Sequence, residues 1–423
     1  MSNQSTAAVY TLGCRVNHYE SEAIAAFLRS RGVDASTEDA PGAVRDIYIV
    51  NTCAVTAESA VKSRKLLRRL RRINPRAVIA AVGCDAQLEP DTLAGICDIV
   101  AGSRNKLDAA AKALEGVQGA LKQSINNPLE PMKIDGFERT RAYIKIEDGC
   151  NGRCAYCIIP SLRGGVSLRG ADDVAADVAA VAATGCREVT LTGIETSAYG
   201  DDLPLLISRV SGINNIERIR LGSLDPSYLT RHIADEFAAL PKLMPHFHIS
   251  LQSGSSRVLA AMRRRYNAKQ AADNLDYLRG VIPDVKYSAD ILTCFPGESD
   301  EDFIETLEFA RHADFYHMHV FTYSPRPGTE AAALPQLPPA ICRERSERLI
   351  ALDRELRTAH HEKAIDSGQP LGVLFEQTDS GLIKGHTREF MEVAVPAGTA
   401  ERGELRFVKP VRAANEILIC EII

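Results

Sequence analysis

The 423-residue chain has no apolar run near the roughly 18 residues that a membrane-crossing helix requires; its densest stretch, Ala77 to Val82, is strand-sized. A membrane span is excluded on that count. The first residues, Met1 to Ala8, offer neither a basic start nor an apolar core ahead of a small-residue cleavage site, so no secretion signal is read and the cytoplasm is the expected address. A basic excess is missing too: the net charge is -5, which removes the whole-protein field that often marks nucleic-acid binders and leaves RNA contacts to local patches. Hydrophobic residues at 45% and charged residues at 25% are ordinary for a folded protein, and the length predicts two or three domains.

Cysteine is not scarce. Eleven cysteines in a chain without a secretion signal point to metal binding or redox chemistry rather than to disulfides. Three of them repeat one pattern, an apolar strand-like run ending in a small or polar residue and then a thiol: Ala8 to Cys14, Asp46 to Cys53 and Val78 to Cys84. Helix-period segments at Ser21 to Arg31 and Glu58 to Ile73 separate them, which predicts a parallel sheet with Cys14, Cys53 and Cys84 together at the strand carboxyl ends. Three buried thiols packing as small hydrophobes are the alternative. Cys97, Cys186, Cys294, Cys342 and Cys420 lack such a pattern and are read as core residues.

A linker is expected from about Gln123 to Thr140, and six strand candidates follow: Arg141 to Glu147, Glu188 to Ile194, Arg218 to Ser223, His246 to Gln252, Val285 to Leu292 and His317 to Tyr323. With helical stretches between most of them they predict a partial (β/α)6 barrel whose site lies at the strand carboxyl ends. A helix from about Ala340 to Ala364 leads to four β-like runs, Leu371 to Phe375, Phe390 to Val395, Leu405 to Val411 and Ile417 to Ile422, read as a small closed β-barrel of a kind often used on RNA. The fold class is thus α/β in three units, 1–122, 141–364 and 366–423.

Directly after the first of the six strands comes Asp148-Gly149-Cys150-Asn151-Gly152-Arg153-Cys154-Ala155-Tyr156-Cys157. Three thiolates at Cys-x3-Cys-x2-Cys spacing can hold three irons of a 4Fe-4S cluster and leave the fourth open to a small molecule. Structural zinc is the alternative, although no fourth Cys or His follows before Cys186.

This loop at the head of a six-strand α/β domain resembles the radical S-adenosylmethionine superfamily. Tyr10 to Asn17, Asn51 to Thr56 and Val82 to Cys84 are similar to the N-terminal domain of methylthiotransferases, and the third unit resembles the TRAM-like RNA-binding barrel of those enzymes. The resemblance implies two 4Fe-4S clusters, one on Cys150, Cys154 and Cys157 and an auxiliary one on Cys14, Cys53 and Cys84. It places S-adenosylmethionine contacts at Tyr156, Thr192, Gly193, Glu195, Ser223, Gln252 and Asp290, with Gly193 allowing close backbone approach. Thr192 and Ser223 are equally readable as turn residues. Phe295-Pro296-Gly297-Glu298 matches a family turn and is read as structural.

The implied reaction methylates a cluster-borne sulfur with one S-adenosylmethionine. A radical from a second takes hydrogen from carbon two of an adenosine beside the tRNA anticodon, where the methylthio group is placed. Thr11 to Asn17 with Tyr19-Glu20-Ser21 looks most like the threonylcarbamoyladenosine branch; isopentenyladenosine and a ribosomal-protein aspartate are the alternatives within the family. A flavodoxin or ferredoxin is the implied reductant. An iron-sulfur tRNA-binding protein without turnover is the competing class, favoured only by a departure from the family pattern. Where the family has Arg-Gly-x-x-Arg-Ser-Arg, this chain has Arg163-Gly164-Gly165-Val166-Ser167-Leu168-Arg169, so Ser167 and Leu168 replace Arg-Ser, and Arg163 and Arg169 remain for carboxylate or phosphate contacts.

For RNA the sequence offers a helical run, Lys62, Arg64, Lys65, Arg68, Arg69, Arg71 and Arg72, and the segment Met262-Arg263-Arg264-Arg265-Tyr266; a solvated face is the plain alternative for either. From Asp366 onward six Lys or Arg stand against nine Asp or Glu, so the last unit is not basic.

Overall fold

The computed structural model describes residues 4–38, 42–116, 118–121, 124–414 and 416–423. The signal-peptide reading of Met1 to Asn3, and Lys122 and Gln123, where the first unit and the linker are expected to meet, fall outside them.

The N-terminal part is a six-stranded parallel sheet of β1 (Thr6–Thr11), β2 (Asp34–Ser36), β3 (Ile47–Thr52), β4 (Val78–Gly83), β5 (Ile99–Ala101) and β6 (Gly119–Ala120), in the order β2-β1-β3-β4-β5-β6. Both faces are covered, so β3 is buried throughout, as parallel strands are. Only three of these six strands carry the cysteine pattern; β2, β5 and β6 are too short for periodicity to mark them. Helix α1 (Arg15–Arg29) starts six residues before the expected Ser21, because its first turns are polar yet buried. Asn17 there donates to the carbonyls of Leu12 (2.7 Å) and Thr52 (3.1 Å). Helix α2 (Ala57–Ile73) is capped by Thr56 Oγ1, which accepts from the Ser59 amide; it buries Ala60, Ser63, Leu67 and Leu70 and turns its basic residues outward.

The central part carries two three-stranded parallel sheets. One joins β7 (Arg141–Lys145), β10 (Glu188–Thr192) and β11 (Arg218–Leu221); the other joins β12 (His246–Gln252), β13 (Lys286–Thr293) and β14 (His317–Thr322). Single bridges, Ile219 to Leu243 and Leu224 to Ile249, link them, so the six strands form the open arc of a partial (β/α) barrel. A short hairpin of β8 (Glu147–Asp148) and β9 (Ser167–Leu168) frames the cysteine loop.

After the helix Pro339–Ser367, β15 (Leu371–Asp379), β16 (Leu382–Thr387), β17 (Glu392–Pro396), β18 (Leu405–Ala414) and β19 (Ile417–Ile422) close into a barrel. Strand β16 is absent from the four expected runs. Its side chains alternate buried and half-buried, with Lys384, Gly385 and His386 among them, so little apolar signal survives.

This small barrel stoppers the strand-start end of the arc. The Phe390 ring lies 4.7 Å from the Arg141 guanidinium and 4.8 Å from that of Arg220, stacked on His246 and His386. Arg218 and Arg220 donate to the carbonyls of Gly372, His386, Thr387 and Arg388. The opposite end, where the strands finish, is left for the cysteines.

Candidate active site

Register decides the first trio. Thr11 pairs with Asn51, Asn51 with Val82 and Thr52 with Gly83, so β1, β3 and β4 end level and deliver Cys14, Cys53 and Cys84 to one edge. Strand order reverses between β1 and β3, the point where open α/β sheets bind ligands. Gly13, at φ +101°, admits the approach: a Cβ there would meet Cys53 Sγ at 2.8 Å.

The second trio faces the first. Cys14, Cys53, Cys84, Cys150, Cys154 and Cys157 all line one cavity of about 360 Å³, and all are free thiols. The Cys150 thiol donates to Glu195 Oε2 at 3.0 Å and accepts from the Gly152 amide at 3.1 Å, while Arg264 Nη1 approaches Cys154 Sγ at 3.4 Å. Burial, then the Glu195 carboxylate, pushes the Cys150 thiol up to about 12. Burial pushes Cys53 and Cys157 up to about 11, and it raises Cys14 against the opposing pull of Arg163. These thiols are protonated until a metal displaces their protons. Among the described residues no three His, Cys, Asp or Glu side chains converge as ligands of a single ion. The thiols line a common space, and each trio supplies three thiolates with no further Cys or His among the described residues of the wall, a donor set that fits a 4Fe-4S cluster with one open iron.

Tyr156, Gly193, Glu195, Ser223, Gln252 and Asp290 line the same cavity. Thr192 does not: its buried hydroxyl lies against Gly222, where a Cβ would come within 2.8 Å. The space over Gly193 is not left for a ligand either, since a Cβ there would meet Glu147 Oε2 at 2.2 Å. That oxygen accepts from the Glu195 amide at 2.8 Å, so Gly193 makes room for the carboxyl that anchors Glu195.

Burial pushes the Glu147 carboxyl from 4.5 up to about 8. The folded state therefore keeps a proton that the unfolded chain loses, a contribution complete below 4.5 that fades as pH rises through about 8. Glu147→Gln, which keeps the shape and the acceptor, is expected to melt close to the wild type near pH 4 and increasingly above it as pH rises from 4.5 to about 8, by calorimetry.

Arg163 and Arg169 are not free for ligand. Arg163 is fully buried, 2.9 Å from Asp148 and 3.2 Å from Glu20; Arg169 lies 2.9 Å from Asp177 and donates to the carbonyl of Lys145. Ser167 and Leu168, at the altered positions, form β9 at the protein surface. Of the cysteines read as core, Cys97, Cys186 and Cys420 sit in apolar clusters. Cys342 is only half-buried and shares a surface cleft with the buried Cys294, so the core reading fails for Cys342. The Arg263 to Arg265 segment belongs to the cavity wall: Arg264 pairs with Asp225 at 2.8 Å, Arg263 with Glu330 at 2.8 Å, and Arg265 reaches Glu195 at 3.6 Å. Asp225 and Ser250 also line the wall without a sequence signal, and Asn17, from the Tyr10 to Asn17 motif, joins it from the first turn of α1.

Residues 144–310 match the Radical SAM superfamily and residues 6–102 match Uncharacterized protein family UPF0004. The threonylcarbamoyladenosine tRNA methylthiotransferase MtaB of Bacillus subtilis (strain 168) is 33% identical over 97% of this chain and 94% of its own length. The namesake from Aquifex aeolicus (strain VF5) is 34% identical over 84% of this chain and 90% of its own. The tRNA-2-methylthio-N(6)-dimethylallyladenosine synthase of Bifidobacterium longum (strain DJO10A) is 32% identical over 92% and 86%. Among solved structures, the radical S-adenosylmethionine methyltransferase TsrM of Kitasatospora setae superposes with TM-score 0.58 at 16% identity, covering 78% of this chain and 77% of that one, a likeness of fold.

Proposed function

Because the chain belongs to the methylthiotransferase family of radical S-adenosylmethionine enzymes, we propose that it places a methylthio group on carbon two of N6-threonylcarbamoyladenosine beside the tRNA anticodon. At the coarser level it is a tRNA methylthiotransferase that uses an iron-sulfur cluster and S-adenosylmethionine. The observation that carries the methylthiotransferase reading is that two cysteine trios, one from each α/β unit, open on the same cavity, while the choice of threonylcarbamoyladenosine is supported by the relatives named for it.

In this reading Cys150, Cys154 and Cys157 hold a 4Fe-4S cluster and Cys14, Cys53 and Cys84 hold a second. Bound there, the two groups supply an electron to cleave the cofactor sulfonium and sulfur for an unactivated carbon. The chain's own part is positional. Tyr156, Glu195, Ser223, Gln252 and Asp290 orient the cofactor from the wall, Val55 and Ile159 keep that wall partly apolar, and Glu147, protonated, fixes the Glu195 backbone. The units are assigned as 1–122, 141–364 and 366–423, with a flavodoxin or ferredoxin as reductant and the cytoplasm as the compartment. An anticodon-loop base is already unpaired, so presenting it to the cavity costs less than extruding one from a duplex.

The names of the relatives also favour a second reading, isopentenyladenosine as the substrate. Mass spectrometry of tRNA nucleosides from a strain lacking the protein decides between them. Loss of the methylthio group from threonylcarbamoyladenosine alone, restored by the wild type but by neither Cys14→Ala nor Cys150→Ala, is the expected result. Loss from isopentenyladenosine moves the protein to the second reading, and unchanged tRNA overturns both.

A further inference from the structure

The arginines that reach the barrel interior are almost all held. Arg141 and Arg220 lie on Glu188 (3.3 and 2.7 Å), Arg218 on carbonyls of the small barrel, Arg163 on Asp148 and Glu20, and Arg169 on Asp177. Arg15 is the exception. It is the first residue of α1, follows Cys14 directly, and is half-buried against β7. Its guanidinium stands 5.9 Å from the Tyr143 ring, and among the described residues it has no hydrogen bond or ion pair. The charged groups around it are Arg141, Arg220 and Asp290, and Asp290 is already engaged by His248 at 3.1 Å. Tyr143 is packed by His18 and Phe137 at the ring, while its hydroxyl has no hydrogen bond among the described residues.

A half-buried cation with no counter-charge is costly, and a fold keeps one where a ligand completes it. The surroundings say which ligand: Arg141 and Arg220 are already balanced by Glu188 and the acid in the field of Arg15, Asp290, is taken by His248, so the group that completes Arg15 is an anion. An arginine fork beside a free phenol fits a carboxylate flanked by a hydroxyl or carbonyl. Arg15 is one peptide bond from Cys14, and Asp290 lies both in the cavity wall and in the field of Arg15, so the subsite adjoins the reacting centre. In adenine, carbon two and the N6 substituent lie on one edge, separated by N1 and C6. A base that offers carbon two to the cysteines therefore carries its N6 group along the same wall.

We infer that Arg15, assisted by the Tyr143 hydroxyl, is the specificity residue for the substrate and binds the carboxylate of the amino-acid group on N6. This rests on the threonylcarbamoyl reading above. It supplies that reading with a physical basis, since an isopentenyl group has no charge to complete the site.

The test is binding, by equilibrium titration of the anaerobically reconstituted holoenzyme with three labelled anticodon stem-loops. One carries threonylcarbamoyladenosine, one its threonine methyl ester and one plain adenosine. The wild type is expected to prefer the acid over both others by about 10- to 100-fold, the worth of a charge-assisted hydrogen bond. Arg15→Gln is expected to bind all three alike, and Arg15→Lys, which keeps the charge without the fork, to recover part of the preference. If the wild type prefers the acid and Arg15→Gln keeps that preference, the inference is overturned and the substrate reading stands. A wild type that does not separate acid from adenosine overturns both. Should Arg15→Gln fail to fold, the ester decides on the wild type alone: an ester bound as tightly as the acid overturns the inference, and a weakened ester with partial recovery in Arg15→Lys supports it.

Discussion

Glu20→Ala is expected to cost about 3–5 kcal/mol of stability, the penalty for leaving buried charge uncompensated, measured by urea unfolding of the anaerobically purified protein. Glu20 in α1 is fully buried and meets Lys106, Lys145 (3.0 Å) and Arg163 (3.2 Å); Asp148 meets Lys145 (3.2 Å) and Arg163 (2.9 Å). Three cations thus share two carboxylates, and the substitution leaves them one. Burial works to raise the Glu20 carboxyl, but Arg163, Lys106 and Lys145 together overrule it and hold the group well below the usual carboxylate range. A depressed carboxylate stabilises at neutral pH and loses that contribution only as pH falls through its folded value, so the deficit of the variant persists across the working range. Because Glu20 and Lys106 belong to the N-terminal part and Lys145, Asp148 and Arg163 to the central part, the loss falls on their joint. Faster proteolysis between residues 116 and 140 is the accompanying sign. Adding Lys106→Met should restore part of the loss by removing the orphaned cation, a coupling that simple loss of packing does not produce.

The same network explains what sequence reading captured and what it missed. Strand runs of five or more residues that end in a thiol announce themselves, and equal strand ends then bring the thiols together, so both trios and the α/β arc were legible. Pattern also located Glu195, Ser223, Gln252 and Asp290 on the cavity wall, because the first two follow a strand, Gln252 ends one and Asp290 lies in the second half of β13. The fate of a charged side chain is set by residues far away in sequence. Arg163 looks free beside Gly164, yet its partner Glu20 lies 143 residues earlier. Gly193 suggests ligand approach, yet Glu147 fills the space. In sequence Arg15 is only one letter of the Tyr10 to Asn17 motif, since nothing local distinguishes an arginine with a partner from one without. Strand β16 was lost for the opposite reason: closure of the barrel, rather than its own apolar content, makes it a strand.

Neutralising one face of α2 is expected to weaken tRNA binding by about two orders of magnitude at moderate salt, and to flatten its salt dependence. The helix divides its seven cations. Arg64 is committed to Asp85 at 3.0 Å, Arg71 to Asp98 at 2.6 Å and Lys62 to Glu58 at 2.7 Å. Lys65, Arg68, Arg69 and Arg72 are exposed, fall at i, i+3, i+4 and i+7, and have no carboxylate partner among the described residues. The helix begins four residues after Cys53, and the stripe starts two turns further along it, about 12 Å from that end. In a chain of net charge -5, whose last unit is itself acidic, an unpaired stripe of cations is the local patch a polyanion needs. Four phosphate contacts released together should reduce the slope of log K against log salt by about 3. Filter binding of unmodified tRNA to the Lys65→Gln, Arg68→Gln, Arg69→Gln, Arg72→Gln protein measures it. A slope equal to the wild type's would return the stripe to a solvated face and leave the phosphates to other surfaces. A flattened slope with undiminished preference for the N6 carboxylate would separate the two tasks. The helix would then hold the backbone, and Arg15 would read the base.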